Sequence, residues 1–174
     1  MIKKILIAAL TAMVMVTGAS AEMGESHHNL FEQGDMSNIR VGAVDNGNIA
    51  IGVDWMIDQT EPDAFSIGFG MGYVMYDSMN TLTQTYGSVY NLDAELKVGY
   101  NLATLTKYIP IVLKAGVGYG VTRIDTVNEW GSTYSVSAES QIYGGLGVGV
   151  EYKSIDAGGL NRVDSTIVYA MYAW

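Results

Sequence analysis

Histidine, the residue best suited to proton transfer near neutral pH, occurs only as His27 and His28 in this chain of 174 residues. Both precede the patterned part of the sequence, so a Ser-His-Asp or His-Asp hydrolase site built on that part would lack its base. With Glu25 and Glu32 nearby, the pair has metal-ligand chemistry. Adjacent side chains diverge, however, and zinc sites gather three or four preorganised ligands, so a solvated leader is the expected role. Glycines recur at every second position in Gly68, Gly70, Gly72, then Gly116, Gly118, Gly120, then Gly145, Gly147, Gly149. A phosphate cradle needs glycines at a strand-to-helix turn, whereas these lie along strands. The expectation is therefore no catalytic, cofactor-binding or metal-binding residue: not an enzyme, and no cofactor.

Charge embedded in alternating patterns is the chemistry that remains. Tyr90, Leu92, Ala94, Leu96, Val98 and Tyr100 alternate without a break against Asn91, Asp93, Glu95, Lys97 and Gly99. Period two is the signature of a strand with two unlike faces. Ile49 to Trp55, Phe65 to Met75, Ile111 to Val121 and Ile142 to Tyr152 repeat it, with bulky apolar residues on one face and glycine or charge on the other. A small soluble barrel puts its bulky apolar face inside, but a transmembrane barrel puts it against lipid around a polar lumen. Lys97 or Lys114 facing lipid at mid-depth would cost about 2–4 kcal/mol, so both should point inward and meet carboxylates. The expected lumen charge network is Arg40, Asp93, Glu95, Lys97, Lys114 and Glu151, with the glycines, beside Tyr143, making room for it. A soluble secreted barrel with the bulky face inward is the rival fold.

The rest of the chain supplies the elements that position those charges. Lys3 and Lys4, an apolar run from Ile5 to Val16 and then Ala19-Ser20-Ala21 form a signal-peptide pattern, with cleavage expected after residue 21. No cysteine is present, which excludes a lipid-anchored start and any disulfide framework. Residues 22–37 read as a mobile acidic leader and 38–174 as one barrel domain. Removing residues 1–21 takes two of the nine basic residues and none of the eighteen acidic ones, leaving seven against eighteen, a net charge of −11. Nucleic acid is an unsuitable partner for such a surface. No later apolar run approaches the roughly 20 residues of a membrane-spanning helix.

Asp45-Asn46-Gly47-Asn48 is a tight hairpin signal after a short first strand, Asn38 to Val44. Asp58 to Asp63 and Ala103 to Lys107 are expected as short periplasmic turns, and Asp77 to Gly87 and Asp125 to Gly131 as longer external loops bearing Tyr86 and Trp130. Trp55, Phe65, Tyr100, Tyr108, Tyr152 and Trp174 are expected in one aromatic girdle, and Tyr73, Tyr90 and Tyr119 in the other. Seven strands are evident where a closed barrel needs an even number. Thr133 to Asp156 is long enough for two, split by a glycine turn near Gly144 to Gly147. One long sixth strand with a degenerate seventh around Ile155 to Val163 is the alternative.

These residues resemble the small eight-stranded outer-membrane barrels of Gram-negative bacteria, of the OmpX and OmpA-barrel type. The resemblance rests on Ala115-Gly-Val-Gly-Tyr-Gly120, on Gly149-Val-Glu-Tyr-Lys153, and on a last strand Ser165 to Trp174 that ends in an aromatic residue. It implies an all-β, antiparallel, up-and-down transmembrane barrel in the outer membrane. Tyr172 and Trp174 then look like the signal read by the barrel-assembly machinery. Outer-membrane lipid and lipopolysaccharide are the implied partners, with a host surface ligand reached through Tyr86 and Trp130 as a further possibility. The resemblance implies a plugged barrel acting in envelope integrity or adhesion, with a narrow low-conductance pore as the alternative and a lipid-modifying enzyme as a distant one.

Overall fold

The computed structural model describes residues 36–45, 48–57, 63–80, 85–102, 111–124, 127–143, 145–156 and 162–174. They form eight strands: β1 (Met36–Val44), β2 (Ile49–Ile57), β3 (Phe65–Asn80), β4 (Thr85–Asn101), β5 (Ile111–Ile124), β6 (Val127–Tyr143), β7 (Leu146–Ile155) and β8 (Val163–Ala173). Each pairs antiparallel with its neighbour in sequence, and β1 pairs with β8, so the sheet closes into a barrel without an edge. Both ends of the described chain lie at one rim, the terminal end, and the opposite rim is the distal end. Successive register partners run from Asn38 through Asp54, Gly70, Glu95, Gly118, Thr133 and Ile155 to Val163. Asn38 itself pairs with Ala173, ten residues further along β8 than Val163. That stagger is what strands tilted by about 40° require in order to close.

The faces are those of a membrane barrel. Along β2 every second residue is buried, and Ile49, Ile51, Val53, Trp55 and Ile57 are the exposed ones. Phe65 is 77% exposed and Leu96 68%, whereas Lys97 is 2% exposed and Glu95 3%. A soluble barrel inverts this assignment, so the soluble rival fails on the direction of the side chains. No helix among the described residues is long and apolar enough to cross a membrane.

The glycine turn between β6 and β7 is present. Tyr143 pairs with Leu146, and Gly145 has φ of 87°, a conformation that favours glycine. The degenerate seventh strand is thereby replaced by a regular one of ten residues. The two long external loops are a correction. The β3–β4 ladder continues to Asn80 opposite Thr85, and the β5–β6 ladder to Ile124 opposite Val127. Ser, Thr, Asn and Gly favour loops there, but Thr, Tyr and Val support pairing, and the neighbouring strand satisfies the backbone. β1 likewise starts at Met36, two residues before the expected boundary. The short turn expected at 103–107, with Tyr108, lies outside the described residues.

Aromatic contacts cluster at both rims. Phe65 packs on Tyr100 at 4.8 Å and Tyr172 on Trp174 at 6.4 Å toward the terminal end, and Tyr73 stacks on Tyr90 at 6.3 Å toward the distal one. Tyr152 belongs to the distal group, since it is three residues from the distal end of β7.

Candidate functional site in the barrel lumen

Inward-facing positions of seven strands bring charges together on the barrel axis. β1 supplies Arg40, β2 Asp54, β4 Asp93, Glu95 and Lys97, β5 Lys114, β6 Glu139, β7 Glu151 and Lys153, and β8 Tyr169. All but Tyr169 are charged, and none is more than 6% exposed. A buried ion is costly unless paired, and five carboxylates here face four cations, so at least one cation has to serve more than one acid.

The geometry does this. Arg40 contacts Asp54 at 3.2 Å and forms an ion pair with Glu151. Lys97 reaches Asp54 at 2.8 Å, Glu95 at 3.5 Å and Glu151 at 4.0 Å. Lys114 spans Asp54 at 3.4 Å and Glu139 at 2.5 Å. Lys153 joins Asp93 at 2.6 Å, Glu95 at 3.3 Å and Glu151 at 3.9 Å. Neutral donors complete it: Ser135 Oγ donates to Glu95 at 2.8 Å, and the Tyr169 hydroxyl donates to Glu139 at 3.1 Å. The Arg40 guanidinium also lies 5.5 Å from the centre of the Tyr169 ring.

All six charges expected in the lumen therefore sit in one connected network. Asp54, Glu139, Lys153 and Tyr169 were not singled out, although each continues an inward phase: Asp54 follows Gly52, Glu139 precedes Gln141, Lys153 follows Glu151, and Tyr169 alternates with Val168 and Ala170. Of the residues proposed for external loops, Trp130 is in β6, outward-facing and 61% exposed, stacked on Tyr119 at 6.0 Å. It is a girdle residue. The backbone of Tyr86 pairs with Met79 in the β3–β4 ladder, and its side chain lies outside the described residues. Tyr172 faces outward near Trp174, whose backbone exchanges hydrogen bonds with Ser37 at 2.9 and 3.2 Å.

The network is buried along its length. On its distal side each strand contributes a small or apolar inward residue, Val44, Ala50, Val74, Val89, Thr122, Thr133, Ile155 and Ile167, none more than 7% exposed, and the six apolar ones pack in one buried cluster with Tyr169 and Met171. Toward the terminal end Met56 and Met171, at 0% and 4% exposure, lie with Asn38 and Asn101. Between the charges and the upper layer is a cavity of about 20 Å³, bordered by Arg40, Glu151, Lys153 and Tyr169, with the room for about one water. The charges thus pair with one another across the strands, at no more than 6% exposure. Among the described residues no cluster of three or more His, Cys, Asp or Glu is arranged to hold a metal.

Similarity to known proteins extends to the fold. The outer-membrane enzyme PagL superposes with a TM-score of 0.56 at 17% identity, over 79% of this chain and 98% of that one. Ail, the attachment invasion locus protein of Yersinia pestis, superposes with a TM-score of 0.50 at 10% identity, over 82% and 99%. No protein-family model matches the chain, and no curated protein sequence does. The architecture is that of the small eight-stranded outer-membrane barrels, a fold that carries both an enzyme and an attachment protein.

Proposed function

We propose that this chain is an integral outer-membrane protein whose lumen is a structural plug, and that it acts through its surface in envelope integrity or adhesion. The observation that carries this reading is the charge network itself, paired across strands at no more than 6% exposure and packed beside a buried apolar cluster. In this reading residues 1–21 are a cleaved export signal, the terminal end faces the periplasm, and the distal hairpins face outward. Tyr172 and Trp174 serve recognition by the assembly machinery, while lipid and lipopolysaccharide contact the outer face. A surface ligand of a host would meet the β3–β4 and β5–β6 hairpins. The enzyme alternative would need a base other than His27 or His28, which precede the barrel. The pore alternative would need a path through the paired lysines and the buried apolar side chains beside them.

Planar-bilayer recording on the refolded protein tests the plug, with insertion verified by protease protection. The expected result is no discrete conductance step, unchanged by Lys114→Ala. Voltage-stable steps that change with Lys114→Ala would replace the plug with a pore.

A further inference from the structure

One polar cluster on the lipid-facing surface belongs neither to the lumen plug nor to the apolar band. At the distal end of β7 and β8, Ser154 and Asp164 are register partners, one outward pair beyond Tyr152 and Thr166 and two beyond the exposed Val150 and Val168. Asp164 takes hydrogen bonds from Tyr152 and Ser154. Arg162 donates Nε to Ser154 Oγ at 2.5 Å and toward Asp164 Oδ1 at 3.3 Å, while its side chain remains 62% exposed. A guanidinium tethered through Nε presents its end-on edge, Nη1 and Nη2, and that fork matches two oxygens of a phosphate. Tyr134, the register partner of Ser154, and Tyr152 expose their rings at 49% and 48% beside it, amphipathic surfaces suited to a sugar ring.

Placement supports an anionic headgroup. Among the described residues, Arg40, Lys97, Lys114 and Lys153 are in the lumen. Arg123 faces outward at the distal end of β5, opposite Tyr90. The outward-facing described cations, Arg123 and Arg162, thus both stand at the distal rim and neither lies within the apolar band. We infer that Arg162, oriented by Ser154 and Asp164 and flanked by Tyr152 and Tyr134, docks a phosphate on the sugar headgroup of a glycolipid in the surrounding leaflet. This site rests on the membrane reading above.

Native mass spectrometry of the folded chain in detergent, titrated with lipid A and with lipid A stripped of its phosphates, tests it. Phosphorylated lipid should bind the wild type about tenfold more tightly than Arg162→Gln, the loss expected for charged hydrogen bonds. Arg162→Lys keeps the charge without the fork and should fall between them. Equal binding by Arg162→Gln, equal binding of the stripped lipid to the wild type, or equal retention of inorganic phosphate alone would overturn the site. A heat-dependent electrophoretic shift, measured on the same samples, keeps the two readings apart. Its absence in the wild type would overturn the barrel in the membrane, whereas its presence without phosphate selectivity would overturn this site alone.

Discussion

Lys153 shows how far alternation carries at the level of a residue. Its inward direction follows from Glu151 two positions earlier, but its two nearest partners lie on β4, and no local pattern states which height on one strand meets which on another. The expected network therefore had the correct face and an incomplete membership. The consequence of that membership is measurable. Lys153→Met removes the cation nearest Asp93 and joined to Glu95, leaving two carboxylates at 3% exposure short of a partner. Breaking a buried pair from one side costs about 3–5 kcal/mol, so urea unfolding followed by tryptophan fluorescence should show a loss of that size. Adding Asp93→Asn to Lys153→Met should recover part of it, because the substitution removes one of the stranded charges. A double variant no more stable than the single one would mean that Asp93 and Lys153 are not coupled.

Strands were the most legible elements. Five runs of alternation located most of β2 to β5 and of β7, while the start of β6 lies where a loop is expected, and one glycine turn resolved the split of β6 from β7, because a turn with φ of 87° leaves a compositional trace. Hairpin tips were the least legible, since Ser, Thr, Asn and Gly occur both in loops and in strands that continue beyond the bilayer. The inward glycines have two different reasons for being small. A Cβ on Gly149 would meet the ring of Tyr169, whose displacement would loosen its hydrogen bond to Glu139 but leave the strand pairing in place. A Cβ on Gly120 would stand 2.6 Å from the Leu92 carbonyl oxygen and 2.6 Å from Asp93 Cβ, so the β4–β5 pairing itself would have to move. Gly120→Ala should therefore cost about 1–3 kcal/mol in the same unfolding assay, and Gly149→Ala less. The reverse order would place the tight contact at β7 and β8 instead of β4 and β5.

At the scale of the whole molecule, the sequence implied a polar lumen but not its closure. Val44, Val74 and Val89 occupy inward positions that alternation alone assigns to polar residues, and closure of the barrel packs them into one buried apolar cluster with Ala50, Ile155 and Ile167. Burial separates two kinds of electrostatics. Exposed ion pairs weaken as salt rises, with a screening length of about 10 Å at 0.1 M, whereas pairs that mobile ions cannot enter are screened far less. The described charges that hold the barrel together lie in the lumen at no more than 6% exposure. Unfolding free energy in urea should therefore change by less than about 1 kcal/mol between low salt and 0.5 M sodium chloride, the range of exposed pairs such as Arg162 with Asp164. Val74→Ser combined with Val89→Ser should make stability more salt-dependent by letting water and ions reach Asp93 and Lys153. A wild type already strongly salt-sensitive would mean that solvent occupies the lumen, and it would contradict the plug by an equilibrium measurement independent of conductance.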